Sequence, residues 1–592
     1  MNSPASNYVR RFQLHLVKPS HYDDDGYVIQ WLRSAIPSNT LAALYGLAAD
    51  CRDRHVLGPD TAIDIYETDE TNTRIRPERI AAQIKAAGGL GLVAIVGVQS
   101  NQFPRAMDIA RRLRARGIQV AIGGFHVSGC LAMLPGIQPD LQEALDLGIT
   151  LYAGEAEGRL DEVLQHAAAG TLKPVYNYMN DLPGLEGQPA PILGPERIAR
   201  TAGGLSSFDA GRGCPFQCSF CTIINVQGRK SRYRSADDIE QLIRRNLANG
   251  VCRFFITDDN FARNRNWEAI FDRLIEMREK EGLSFRFIIQ VDTLCHKIPN
   301  FVTKAARAGV RRVFIGLENI NPENLLAAKK KQNRISEYRQ MLLAWKEVGC
   351  FTYAGFIIGF PGDTQETVLR DIRIIKRELP LDLLEFFFLT PLPGSEDHKK
   401  LFMAGVAMEP DMNKYDLEHA CAAHPKMSKE EWERTYQLAW EEYYTPEHMA
   451  TILRRAMATK ISPGKMMFLL IWFWGAVHLE KVHPLQAGYL RRKVRRDRRP
   501  GYPIESAFTF YPRYAWEIAT KHVRLAGTVL RMMKLRRQLK RDPRARLYMD
   551  EALTPVREDE LDTLEMFNVS EAARQASEKA RRDAAARVPV RA

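Results

Sequence analysis

Leu92-Val93-Ala94-Ile95-Val96-Gly97-Val98 is an unbroken apolar run that predicts a buried strand. Ala106, Ile109, Ala110 and Leu113 follow at helical spacing. Val120-Ala121-Ile122, closed by Gly123-Gly124, predicts a second strand, and Ile149-Thr150-Leu151-Tyr152, ending in Gly154-Glu155, a third. Strands alternating with helices over residues 1–175 imply a parallel sheet, and glycines past the carboxyl ends of its strands mark a ligand crevice. Residues 176–204, with Pro183, Gly184, Pro189, Pro191 and Pro195, predict a linker.

A second alternating series runs from Leu205 to about Pro393. Strands are expected at 205–210, 252–257, 285–291, 310–316, 353–359 and 383–389. Ile239, Leu242, Ile243 and Leu247 share one helical face, as do Trp267, Ile270, Phe271, Leu274 and Ile275. Asp363 with Glu366 predicts a capping box for a helix burying Val368, Ile372, Ile375 and Leu379. Six β/α units suggest an incomplete parallel barrel, whose chemistry would sit at the carboxyl ends of its strands. Residues 401–567 read as mainly helical, and 568–592 as a flexible or helical tail.

Charge separates the C-terminal region from the rest. The chain of 592 residues carries a formal net charge of +13, yet residues 451–550 alone hold 23 Lys/Arg against 6 Asp/Glu. Within them the twelve-residue apolar run Met466 to Val477 precedes Arg491-Arg492-Lys493-Val494-Arg495-Arg496-Asp497-Arg498-Arg499. That run is shorter than the roughly 20 residues a bilayer span needs. Apolar side chains beside clustered cations favour a peripheral contact with an anionic membrane. A buried helix with a solvated basic face and an RNA-binding surface are the competing readings, and nucleic acid is disfavoured because no RNA-binding module is recognisable. The polar stretch Met1 to Arg11 lacks the pattern of a secretory signal, so a cytoplasmic protein, peripheral on the inner face of the membrane, is expected. His21-Tyr22-Asp23-Asp24-Asp25-Gly26-Tyr27 reads as a solvated turn in preference to a pocket lining.

The sharpest chemical signal is Gly211-Arg212-Gly213-Cys214-Pro215-Phe216-Gln217-Cys218-Ser219-Phe220-Cys221. Three of the nine cysteines fall within eight residues, directly after the first strand of the second series. Three thiolates on one loop can ligate three irons of a [4Fe–4S] cluster and leave the fourth open. A structural zinc site wants four ligands, usually in two pairs, and no histidine lies between His166 and His296 to complete one.

This loop, with Phe220 before the last cysteine, resembles the signature of the radical S-adenosylmethionine (SAM) superfamily. The resemblance implies that SAM chelates the open iron, that an electron from the cluster cleaves its sulfonium, and that the adenosyl radical abstracts a substrate hydrogen. It implies an electron donor such as a flavodoxin or ferredoxin. Phe255-Ile256-Thr257-Asp258-Asp259-Asn260-Phe261 resembles the element holding the SAM ammonium group, with either Asp258 or Asp259 as acceptor. Glu318 would meet the SAM ribose, and Gly355 and Ile357-Ile358-Gly359-Phe360-Pro361-Gly362 resemble the motif beside the adenine.

Gly123-Gly124-Phe125-His126-Val127-Ser128 and Gly154-Glu155-Ala156-Glu157-Gly158 resemble the cobalamin-binding domain that precedes many radical SAM cores. The Asp-x-His-x-x-Gly loop of cobalamin mutases is absent, so His126 is read as part of a turn and not as a cobalt ligand. The expected architecture is α/β: a Rossmann-like cobalamin-binding domain over 1–175, a linker over 176–204, a partial (β/α)6 radical SAM barrel over 205–400, and a helical C-terminal region. The expected cofactors are a [4Fe–4S] cluster, SAM and cobalamin. The expected activity is C-methylation of an apolar, lipid- or pigment-like small molecule. Alternatives are an oxidative cyclase of the magnesium-protoporphyrin ester cyclase type and a non-catalytic cobalamin or cluster sensor. A tRNA methylthiotransferase is disfavoured, since only Cys51 and Cys130 precede the linker. No catalytic acid or base is legible.

Overall fold

A computed structural model describes residues 10–586. Residues 1–9 of the polar N-terminal stretch lie outside the described residues. Six strands form the first parallel sheet: β1 (Arg10–Lys18), β2 (Thr61–Asp69), β3 (Gly91–Ile95), β4 (Gln119–Gly123), β5 (Thr150–Ala153) and β6 (Val175–Asn177). Their order is β2-β1-β3-β4-β5-β6, and all neighbours are parallel. Strands β1, β2 and β6 add to the three that the apolar runs predict, and β6 carries the sheet two residues past 175. The order reverses direction between β1 and β3, so the crevice of such a sheet opens at their carboxyl ends.

The second sheet holds β7 (Ser206–Phe208), β8 (Arg253–Ile256), β9 (Arg286–Val291), β10 (Val310–Glu318), β11 (Phe351–Ile358) and β12 (Leu383–Phe388). Its order is sequential and wholly parallel, an open barrel with every expected strand present. The helix Gln365–Glu378 is capped differently from expectation. Its N-cap is Thr364, boxed with Thr367. Asp363 turns back instead, accepting from the backbone N–H groups of Gly359 and Phe360.

The C-terminal region binds the two sheets together. Strand Gly488–Arg492 pairs antiparallel with Gln30–Ser34 near the start of the chain, and the Trp31 Nε1 donates to the Gln486 carbonyl at 2.9 Å. The apolar run begins as helix Pro463–Gly475, which buries Met466, Leu469, Leu470 and Phe473 in the main core. No helix among the described residues is long and apolar enough to cross a membrane. Several cations of the Arg491–Arg499 run are also used internally: Arg491 pairs with Asp23 at 2.9 Å and Arg499 with Asp411 at 2.6 Å. The segment His21–Tyr27 is a solvated turn only at Asp24 and Asp25, and its flanks are buried. Tyr22 and Tyr27 are buried, the Tyr22 hydroxyl donates to Asp108, and Arg105 joins Tyr22, Glu70 and Asp497 in one buried network. Within the expected tail, Glu571–Ala586 is a helix that buries Ala573 and Ser577, and residues 587–592 lie outside the described residues.

Candidate active site

The cysteine loop leaves the barrel after β7 and is pinned at both ends. The Cys214 N–H donates to the Gly228 carbonyl at 3.2 Å, and the Ser219 N–H to the Ala328 carbonyl at 3.1 Å. The Ser219 hydroxyl donates to Asp397 at 3.0 Å. Burial pushes the Cys214 thiol up to about 11 and the Cys221 thiol to about 12, so the thiolates need a cationic partner to form. The Gln332 amide donates to the Cys218 sulfur at 3.4 Å.

The neighbouring acids divide their work. One oxygen of Asp258 accepts from the backbone N–H groups of Ala210 (2.7 Å) and Gly211 (2.8 Å), and the other from Asn264 (2.9 Å). Asp258 thus braces the root of the cysteine loop. Asp259 is solvent-accessible, lies within electrostatic reach of Cys214 and Cys221, and accepts from no other side chain among the described residues. Burial raises the Asp258 carboxyl to about 7. Glu318 ends β10 in the left-handed region, φ 64°, a conformation that a non-glycine residue holds only where its surroundings enforce it. There it pairs with Lys330, whose ammonium also faces Cys218 and Cys221 and lies 5.8 Å from the centre of the Phe220 ring. Burial opposes the charge of Lys330, but Glu318 and the two sulfurs outweigh it and keep its pKa raised. Gly359, at φ 112°, sits where a Cβ would lie 1.9 Å from the Trp432 ring.

Deeper in the barrel, Glu385 on β12 is fully buried with one carboxyl oxygen unpaired, and desolvation raises it to about 8. The sign follows from linkage: an acid protonated in the fold but ionised when unfolded costs stability as pH climbs from its ordinary value near 4.5 to about 8. Glu385→Gln is therefore expected to flatten that decline, gaining on the order of 3 kcal/mol over wild type between pH 5 and pH 8 in urea titrations.

The first domain meets this site at its crevice. A cavity of about 680 Å³ is lined by Lys18 and His21 after β1, by Gly97 and Gln99–Gln102 after β3, and by Phe125 after β4. From the barrel come Phe220, Phe314, Glu318, Ile357 and Phe387, and from the C-terminal region Tyr415, Asp416 and Gln486. The sequence-level glycines stand beside this wall, not on it. Gly124 presses so closely on Val98 that a Cβ would meet its nitrogen at 2.2 Å, and Gly154 lies against Tyr178. Both ring nitrogens of His126 are engaged, Nε2 with Asp140 at 2.7 Å and Nδ1 with Ser100 at 3.2 Å. Glu155 reaches the other domain, accepting from Arg212 at 2.7 Å and from Arg232 at 2.5 Å.

The donor sets suit the expected groups. No three His, Cys, Asp or Glu side chains among the described residues converge on a single ion. A cubane cluster spreads its ligands further apart than one ion does, and three cysteines with no fourth on the loop leave one iron free. Three buried amide oxygens on the cavity wall, of Asn39, Asn101 and Gln486, have no donor. Such acceptors match the amide-fringed edge of a corrin.

Residues 210–375 match the radical SAM superfamily, across the cysteine loop and four of the six barrel strands. This stretch is a radical SAM domain. The chain is 26% identical over 351 residues to the bacteriochlorophyllide d C-8(2)-methyltransferase of Chlorobaculum tepidum, covering 55% of this chain and 72% of that protein. Identity to the hopanoid C-2 methylase of Rhodopseudomonas palustris is 25% over 336 residues, 56% of this chain and 62% of that one. The fold of the whole enzyme is that of the cobalamin-dependent radical SAM enzyme OxsB, solved with aqua-cobalamin bound. The TM-score is 0.51 at 12% identity, covering 98% of this chain and 84% of OxsB. Lys330, Gln332, Arg212 and the loop Gln99–Gln102 stand at the candidate site, and the motifs did not single them out. Only the run Lys329-Lys330-Lys331 hinted at one of them.

Proposed function

We propose that the chain is a cobalamin-dependent C-methyltransferase whose substrate is an apolar, lipid- or pigment-like molecule. The observation that carries this reading is the shared cavity. Its barrel wall is apolar (Phe314, Ile357, Phe387, Leu389), with Ile29 and Phe125 facing it, while the orphaned amides of Asn39 and Asn101 lie on the crevice side and that of Gln486 on the C-terminal segment. Pigment and hopanoid methylation by the two relatives supports the same substrate class. Cys214, Cys218 and Cys221 would hold the cluster, and the amide-lined crevice the corrin. Bound there, the cluster supplies the electron that opens SAM and cobalamin carries the methyl group. Lys330 offsets the negative charge of the ligated sulfurs and orients Glu318, and Asp259 offers the free carboxylate for the SAM ammonium.

Asp259→Asn is expected to weaken SAM binding about ten-fold in equilibrium titrations without lowering the melting temperature. Asp258→Asn should lower the melting temperature, because it disturbs the carboxylate that holds two backbone N–H groups. The function itself is tested with anaerobically reconstituted protein, methyl-deuterated SAM, and lipid and pigment extracts. Label in an apolar product together with 5′-deoxyadenosine is expected. Reductive SAM cleavage with label confined to polar products would refute the substrate class, and no cleavage at all would refute the reaction.

A further inference from the structure

Helix Ala507–Arg541 runs 35 residues, about 50 Å, along the outside of the molecule. Its inner face buries Phe510, Thr528, Met532 and Leu539. At 100° per residue the opposite face carries Phe508, Tyr511, Pro512, Trp516, Val523 and Leu530. That face is bare: Phe508 is 93% exposed, Trp516 73%, Val523 72% and Leu530 66%. A helix packed on one side and facing water on the other carries polar residues outward. A straight apolar stripe about 33 Å long on the outer side marks an interaction surface.

We propose that this outer face docks the protein on an anionic lipid bilayer. Charge selects the partner. The helix holds nine Lys/Arg and one acid, Glu517, whose carboxylate is taken by Lys493 and Lys521. Arg524, Arg531, Lys534, Arg537, Lys540 and Arg541 make no ion pair with any described carboxylate, in contrast to Arg491 and Arg499, which do. Lys534, Arg537 and Arg541 continue the apolar stripe on the same side. A second copy of the chain would bring two such cationic helices together against their mutual repulsion. An RNA surface would interleave rings with cations, whereas here the aromatic residues occupy 508–516 and the free cations 524–541. A planar layer of apolar chains under anionic headgroups satisfies both halves of the helix. Within the segment Lys465 to Arg546, where the sequence pairs apolar and aromatic side chains with clustered cations, the run at 466–477 is largely packed into the core and helix Ala507–Arg541 carries the bare apolar face.

The test is flotation of the full chain with vesicles of phosphatidylcholine, alone or with phosphatidylglycerol added. It needs neither cluster nor substrate, so its failure is separable from failure of the methyltransferase reading. Wild type is expected to partition at least about ten-fold better onto the anionic vesicles, and high salt should remove most of that preference. The variants F508S/W516S/V523S/L530S and K534E/R537E/R541E should each lose at least about ten-fold in binding with unchanged melting curves. The salt dependence, which needs no variant, holds the proposal to account if the serine variant fails to fold. Absence of flotation, flotation indifferent to lipid charge, or a wild-type dimer that the serine variant converts to monomer would overturn it.

Discussion

Cys218→Ala is expected to abolish the iron–sulfur absorption of the reconstituted protein and to lower reductive SAM cleavage by at least about a thousand-fold. The magnitude follows from the donor set. Three thiols lie on one loop with no fourth cysteine to substitute, so removing any one leaves two ligands for a cluster that needs three protein sulfurs and SAM. Cys218 is also the buried member of the trio, with the Gln332 amide on its sulfur and the Lys330 ammonium beside it. Alanine there loses a ligand and leaves a buried cation facing one carboxylate and one fewer sulfur. The control is Cys295→Ala. That cysteine is equally buried in the same barrel, where burial holds it protonated and it has no place on the loop. It should leave iron content, absorption and SAM cleavage unchanged. Retention of a full, SAM-responsive cluster in Cys218→Ala would overturn the ligand assignment, and loss of the cluster in Cys295→Ala would show that the barrel and not the loop limits assembly.

The cysteines were legible because their chemistry is concentrated within eight residues, and the barrel because each of its strands is a buried apolar run between amphipathic helices. The acids were legible as a pair but not as individuals. Which of Asp258 and Asp259 turns toward the cysteines depends on how β8 ends, and that in turn depends on the backbone of Ala210 and Gly211 at the root of the cysteine loop. Strand β2 escaped the apolar pattern because it is an edge strand with one wetted side, its Ala62 exposed and Ile63 buried. Strand β1 escaped because Gln13 and His15 are buried between its apolar positions, His15 stacked 4.6 Å from Tyr66 on β2. The cavity amides had no signature at all. Asn39, Asn101 and Gln486 come from three distant segments, and an amide's meaning depends on whether a donor stands opposite. Charge was readable as an excess in 451–550 but not in its disposition: Arg491 is spent on Asp23, 468 residues away, while Lys534 and Arg537 are not spent.

Arg212→Met is expected to lower stability by about 3–5 kcal/mol and methyl transfer by about a hundred-fold. Two residues before Cys214, the guanidinium donates to Glu155 and Glu157 at 2.7 Å each and lies 3.3 Å from Asp209. The two glutamates follow β5 of the first domain, so this cation ties the stem of the cysteine loop to the sheet beside the crevice. Its side chain is only 10% exposed, and although burial disfavours the charge, the three carboxylates hold the guanidinium firmly protonated. Removing it strands Glu157 almost out of contact with water, the costly half of a broken buried ion pair, while Asp209 keeps Arg234 at 3.5 Å. It also frees the loop relative to the crevice, where a displacement of about 1 Å between reacting groups is enough for the hundred-fold loss. The double variant Arg212→Met/Glu157→Gln separates the two effects. Neutralising the stranded acid should recover part of the stability, as a coupling in a double-mutant cycle of chemical melts, without recovering methyl transfer. Iron content in both variants should stay at the wild-type level, because every cluster ligand remains. If Arg212→Met melts like wild type and transfers methyl at the wild-type rate, the register of the two domains rests on their other ties, among them Arg232 on Glu155 and the C-terminal strand pairing at Gln30–Ser34.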